Sequence, residues 1–191
     1  MGKALRKDEF YTVEDIFELP EGERAELIDG DMYMMAPPLI KHQRIAGNVF
    51  NEISNFLKKR NGNCEAFIAP VGVFLNNDEH TYVEPDVFVV CDPKKIKEKG
   101  CYGAPDWVIE VVSPSSKSMD YLIKLFKYKN AGVREYWIVD PDLKTVLVYQ
   151  FSEDEERENI GIYDFTDAVP SGVCQGLAID FSSIRVDAVD K

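Results

Sequence analysis

Two short apolar runs, each carrying one acid, limit what this chain can fold into. Val87-Phe88-Val89-Val90-Cys91 is nearly all apolar, and Trp107-Val108-Ile109-Glu110-Val111-Val112 is apolar except for Glu110. Runs of this kind are strands covered on both faces, so other layers must pack on either side of them. Asp86 opens the first run directly after Glu84-Pro85, and Glu110 lies inside the second. An ionised carboxylate in such a setting is costly unless it is paired or bound to a cation. If adjacent strands bring Asp86 and Glu110 together, their charges repel, which raises a pKa or calls for a counter-charge. A divalent metal, which favours oxygen ligands, supplies one. The competing arrangement is a plain alternation in which Glu110 faces solvent beside a lysine.

The remaining elements can be placed around these runs. Thr12 to Leu19 reads as a short helix with Thr12 as N-cap and Asp15 in the capping-box position, stopped by Pro20-Glu21-Gly22. Arg24 to Ile28 and Met32 to Ala36 form a hairpin through the Asp29-Gly30 turn signal, which accounts for Asp29 without any chemistry. Residues 41 to 60 have the clearest helical period, with Ile45, Val49, Phe50, Ile53, Phe56 and Leu57 on one stripe. Cys64 to Ala69 and Val71 to Leu75 read as strands, and Asp92 to Pro105 as a lysine-rich loop. Ser115 to Ala131 reads as a second long helix, capped by Ser118, with an apolar stripe of Leu122, Leu125 and Phe126 and Gly132 closing it. Glu135 to Val139, Thr145 to Phe151 and Ile160 to Phe165 read as strands, and Gly172 to Ile179 is weakly strand-like. The charge run from Ser152 to Asn159 suits a solvated hairpin tip. Strands, helix, strands, helix and strands predict an α/β fold with a mixed sheet and helices packed on it. There is no glycine fingerprint of a dinucleotide site.

Composition narrows the class further. The 191 residues suit one domain, and hydrophobic residues make up 45%. Lys and Arg total 22 against 34 acids, a net charge of −12, which argues against coating nucleic acid by charge alone. The cysteines at 64, 91, 101 and 174 form no C-x-x-C pair, so four reduced thiols in a cytoplasmic protein are expected. No apolar run approaches the ~18 residues of a membrane span, and none follows the charged N-terminus as a signal peptide would require.

Other residues carry weaker signals. Glu26, between Ala25 and Leu27 on an early strand, is a third acid that fits a metal cluster or the surface. Asp120 and Lys124 are spaced as an i,i+4 surface pair, or else the helix after the Glu110 strand aims Lys124 back at the acids. Lys127 is expected to face water. His42 opens the first long helix as a ligand, a proton carrier, a phosphate contact or a plain polar residue. His80 belongs to a polar turn. Neither a zinc motif nor G-x-S-x-G is present.

One family resemblance draws these residues together. Arg24 through Gly30, Glu84-Pro85-Asp86-Val87, Trp107 through Ser115, Asp120-Tyr121 with Lys124, and Gly132 through Pro141 occur in that order. Over residues 12 to 181 this set resembles the Uma-type family of proteins classed as endonucleases, within the PD-(D/E)XK superfamily. The resemblance implies a restriction-endonuclease-like core with a mixed central sheet flanked by helices. An N-terminal hairpin and C-terminal strands are added to a single domain of residues 1 to 191. It implies that Asp86 and Glu110 are the two motif acids and that Glu26 helps bind metal. It also implies that the Val111 carbonyl adds an oxygen ligand. The superfamily lysine two residues after the second acid is Val112 here, and Lys124 on the following helix is the matching cation. His42 resembles a polar position near the site. The implied activity is Mg²⁺-dependent hydrolysis of DNA phosphodiesters, with Mn²⁺ as substitute, by a homodimer that binds no membrane. Lys58, Lys59, Arg60 and the Lys94 to Lys99 loop are a candidate DNA path. The rival expectations are an inactive nuclease-like protein that binds nucleic acid or accompanies mobile elements, and a protein-interaction domain.

Overall fold

The computed structural model describes residues 10–114, 116–152 and 158–184. Ser115 and most of the acidic run named above lie outside the described residues, as do both chain ends. A mixed six-stranded sheet forms the centre, in the order β12-β11-β10-β9-β6-β3. Its strands are β3 (Glu65–Ile68), β6 (Val87–Val90), β9 (Trp107–Val111), β10 (Glu135–Asp140), β11 (Thr145–Gln150) and β12 (Asn159–Asp164). Only the β9–β10 pair in it is parallel. Its two most apolar strands, β6 and β9, are buried along their whole length, as the runs predict.

Alternation along β9 divides the core in two. Trp107, Ile109 and Val111 face helix α2 (Ile40–Lys58), where Ile45, Ala46, Val49 and Ile53 meet them. Val108 and Val112 face the other way, among Phe88, Val90, Tyr128 and Tyr136. Residue 110 has the same parity as 108 and 112, so the Glu110 side chain enters this second layer.

A second six-stranded sheet, β2-β1-β5-β4-β8-β7, packs beside it. It is built from β1 (Ala25–Ile28), β2 (Asp31–Met34), β4 (Val73–Phe74), β5 (Tyr82–Val83), β7 (Ile96–Lys97) and β8 (Gly100–Tyr102). The expected hairpin turn is present, with Asp29 at φ 52° and Gly30 at φ 81°. The short helix α1 (Val13–Phe17) leans on this sheet, and the Thr12 N–H donates to the Asp15 carboxylate at 2.8 Å. A small antiparallel pair, β13 (Ala168–Pro170) and β14 (Ala178–Asp180), covers the α2 side of the core.

Three expectations are corrected. Residues 92–105 are not a plain loop, because they contain a 3-10 turn (Pro93–Lys95) and strands β7 and β8. The second long helix does not bury Leu122 and Phe126, which are 68% and 62% exposed. Its inward residues are Met119, Asp120, Lys124 and Tyr128. The segment Met119–Lys124 is a π-helical stretch that runs into α3 (Leu125–Ala131), and Ser118 already has helical backbone angles. Gly132 closes α3 in the left-handed conformation, as expected. Lastly, the cysteines are not four free thiols. The β3–β6 register pairs Glu65 with Val90, which sets Cys64 opposite Cys91, and these two form a disulfide. Cys101 and Cys174 are free and buried. Among the described residues no helix is long and apolar enough to cross a membrane.

Thiol titration of the unreduced, denatured chain tests the pairing. Two of the four cysteines should react before reduction and all four after it. Four reactive thiols without reductant would contradict the bridge.

Candidate active site

Strand register brings the motif acids together. β6 and β9 run antiparallel with Val87 opposite Ile109, so one step further sets Asp86 opposite Glu110. Directly opposed residues of this kind have neighbouring side chains. The Asp86 N–H points at a Glu110 oxygen at 3.3 Å, and the Val111 N–H donates to Asp86 Oδ2 at 2.8 Å. Glu26 reaches the same place from β1. Its Oε1 accepts the Glu84 N–H at 3.0 Å.

Lys124 closes the cluster. Its Nζ donates to Glu26 Oε1 at 2.8 Å and to Glu110 Oε1 at 2.9 Å, with Asp120 Oδ1 at 3.7 Å. The Tyr128 hydroxyl donates to Glu110 Oε1 at 2.8 Å. The π-helical stretch widens the turn that carries Asp120 and Lys124, and both face inward from it. Such insertions recur at functional sites. Relative exposure is 5% for Glu26, 3% for Glu110, 2% for Asp120 and 5% for Lys124. The Asp120–Lys124 pair is therefore buried chemistry rather than surface decoration. Lys127, expected to face water, pairs with Asp29.

His42 enters from the first turn of α2. Its Nε2 lies 3.1 Å from Asp86 Oδ2, and its ring also meets the Val111 backbone. His42 Nδ1 is a buried nitrogen with no hydrogen-bond partner among the described residues. Burial opposes charge on this ring, but Asp86, helped by Asp120 and the Val111 backbone, outweighs it and raises the His42 pKa.

The site holds more acid than base. Burial pushes the Glu110 pKa well above the carboxylate range. Lys124 pulls it down, while Asp86, Asp120 and Glu26 push it higher. Burial likewise carries Asp120 up to about 6, against the pull of Lys124 and of a Ser116 hydrogen bond. Burial alone would discharge Lys124, yet Glu110, Glu26 and Asp120 hold its ammonium firmly protonated. The carboxylates of Glu26, Asp86, Glu110 and Asp120 thus share one buried ammonium, and the surplus is relieved by a retained proton or a further cation.

The donor set suits a hard divalent cation, being carboxylate oxygens with a backbone carbonyl close by. It is not a finished cage. Among the described residues no three acid, histidine or cysteine side chains are gathered around one point, because the Lys124 ammonium stands between Glu26 and Glu110. Asp86 and Glu110 are joined directly through the Asp86 amide, and Lys124 is bonded to both Glu26 and Glu110.

These groups line a cavity of about 590 Å³. Neither Lys58 to Arg60 nor the Lys94 to Lys99 loop borders it. Sequence reasoning missed three participants. Tyr128 lies one turn beyond Lys124, so its register was readable, but nothing in the sequence marked its hydroxyl. Glu84 receives both Arg24 and the Tyr82 hydroxyl and braces the Glu26 strand. Asp120 was legible as a surface partner and as part of the family run, but neither gave it a place in the site.

The surplus charge sets a pH dependence. A carboxylate whose pKa is raised on folding binds its proton more tightly in the native state, so the metal-free protein loses stability as pH rises through about 6. Urea unfolding should show Asp120→Asn gaining about 1–3 kcal/mol on wild type near pH 8, with the gap shrinking below about pH 6 and closing at about pH 4. Lys124→Met should lose about 3–5 kcal/mol near pH 8, because it strands Glu26 and Glu110. A pH-independent gap for Asp120→Asn would contradict this charge balance.

Known proteins share this arrangement of the chain. The model of the Uma2 family, described as "Putative restriction endonuclease", matches residues 8–182. An uncharacterized protein of Synechocystis, slr1290, is 28% identical over 171 residues, covering 82% of this chain and 88% of its own length. A crystal structure from Anabaena variabilis, described as a putative nuclease belonging to DUF820, superposes with a TM-score of 0.71 at 23% identity. That match covers 90% of this chain and 95% of the other, and it shows the same fold. The restriction-endonuclease-like architecture is thus shared, and with a family match over nearly its whole length the chain belongs to the Uma2 family of nuclease-like proteins.

Proposed function

We propose that this protein is a metal-dependent endonuclease that hydrolyses phosphodiester bonds in DNA. The observation that carries this reading is the buried Lys124 ammonium, held by Glu26 and Glu110 beside Asp86 in an open cavity. A structural ion pair needs neither the adjoining cavity nor surplus carboxylates. A hydrolytic centre for a phosphodiester, an anion, needs positive charge fixed where the transition state gathers negative charge.

Asp86, Glu110 and the Val111 carbonyl would hold Mg²⁺, or Mn²⁺ in its place, with Glu26 as a further acid. A bound divalent ion would lower the pKa of a coordinated water and polarise the phosphoryl oxygen. Lys124 is too strongly protonated to act as a base. Its role is to stabilise charge on the phosphoryl oxygens. The Tyr128 hydroxyl fixes the Glu110 rotamer, since it donates to the same oxygen as Lys124. His42, beside Asp86, orients that carboxylate and holds a proton near the mouth of the site. Hydrolysis joins the water oxygen to phosphorus, breaks one P–O ester bond and leaves a hydroxyl on the departing strand. Both new ends remain covalently intact.

Asp86→Asn and Glu110→Gln should each reduce Mg²⁺-dependent cleavage by about 100-fold or more while leaving the far-ultraviolet circular dichroism unchanged. Cleavage of plasmid and oligonucleotide DNA by matched preparations is the measurement. Equal cleavage by wild type and both variants, or none by wild type in either ion, would overturn the proposal.

A further inference from the structure

We propose that the cavity takes an unpaired nucleotide, with one base laid on its apolar wall, so that the substrate is single-stranded or locally opened DNA rather than continuous duplex. The inference rests on the nuclease reading and deepens it.

The cavity has two unlike halves. Its floor is the acid cluster with Lys124, and its wall is apolar. Tyr33 pairs with Glu26 across the β1–β2 hairpin, so the two side chains share a face. The Met35 N–H bonds to the Arg24 carbonyl and continues that register, setting Met35 beside Tyr33 on the same face. The chain then passes along the cavity through Pro37, Pro38 and Leu39, and Leu39 is 58% exposed. Pro70, Pro114 and Met119 also border the cavity. An apolar wall left open to water next to buried charge suits a ligand that is itself half apolar and half anionic. A nucleotide has that character, with a flat base and a phosphate.

Duplex geometry does not use this wall. In a continuous duplex the base faces are stacked on one another and offer none of their flat surface to such a wall. Glu26 and Glu110 at the floor are almost fully buried, which favours a strand free to leave the helix. Charge points the same way. The chain carries −12, and three lysines of the candidate basic loop are engaged locally. Lys97 lies over the Tyr102 ring at 4.2 Å, Lys99 over Phe17 at 4.8 Å, and Lys95 donates to the Ala104 carbonyl at 2.7 Å. Duplex affinity draws mainly on phosphate neutralisation along the backbone, which this surface supplies poorly. Binding of an unpaired strand draws also on contact with base faces. The proline-rich border helps, since fixed φ angles leave less freedom to lose when a base docks.

Fluorescence anisotropy in Ca²⁺ with labelled oligonucleotides tests this. The probes are a single strand, its perfect duplex, and the duplex with a central unpaired bubble. The single strand and the bubble should bind about 10-fold more tightly than the perfect duplex. Tyr33→Ala and Leu39→Ser should each remove most of that preference, and Tyr33→Phe should keep it. Leu39 is exposed, so its variant tests the wall without threatening the fold. Duplex binding as tight as single-strand binding, or a preference that survives both wall variants, would overturn this inference and leave the nuclease reading intact. No binding to any probe would overturn both.

Discussion

The site depends on one buried ammonium. Lys124 sits where strands from two sheets and a helix converge, and it holds Glu26 and Glu110 apart from water and near each other. Removing charges from water costs several kcal/mol each, and only close pairing with further hydrogen bonds offsets that. The surrounding fold provides these bonds. The β6–β9 register sets Asp86 opposite Glu110, the Glu84 amide fixes Glu26, the Tyr128 hydroxyl fixes Glu110, and the Val111 amide fixes Asp86. The cluster still contains more carboxylate than Lys124 neutralises. That imbalance links the fold to the proposed chemistry, because a core built for stability alone gains nothing from it.

The acids were legible because they break a pattern. A carboxylate inside Trp107–Val112 stands out against its apolar neighbours, and so does one at the head of Val87–Val90. Lys124 was legible mainly through the family resemblance, because its spacing from Asp120 is also that of an ordinary surface pair. The helix face was misread for a physical reason. Periodicity assigns the apolar side to the core, whereas here the inward side carries Asp120, Lys124 and Tyr128, and Leu122 and Phe126 face out. A polar centre inside the protein reverses the usual rule at that helix. Strands β7 and β8 are only two and three residues long, too short to show any period. The Cys64–Cys91 bridge follows from the β3–β6 register, which cysteine spacing alone does not reveal.

The acidic balance of the chain and the make-up of the cavity complement each other. A protein of this charge gains little from following a duplex backbone, and Lys97 and Lys99 of its lysine-rich segment lie over aromatic rings away from the cavity. Beside the acids it instead offers methionine, proline, leucine and tyrosine on the border of the same cavity. In the proposed complex, charge fixed at the bottom and apolar surface above it would divide recognition between phosphate and base.

The central claim is that the Asp86–Glu110 pair receives the cation that the Lys124 network leaves room for. Crystals soaked in Mn²⁺ and measured at the manganese absorption edge test it most directly. The account predicts an anomalous peak in contact with both the Asp86 and Glu110 carboxylates. A map in which manganese appears only at surface acids, with Asp86 and Glu110 bonded as before, would contradict it.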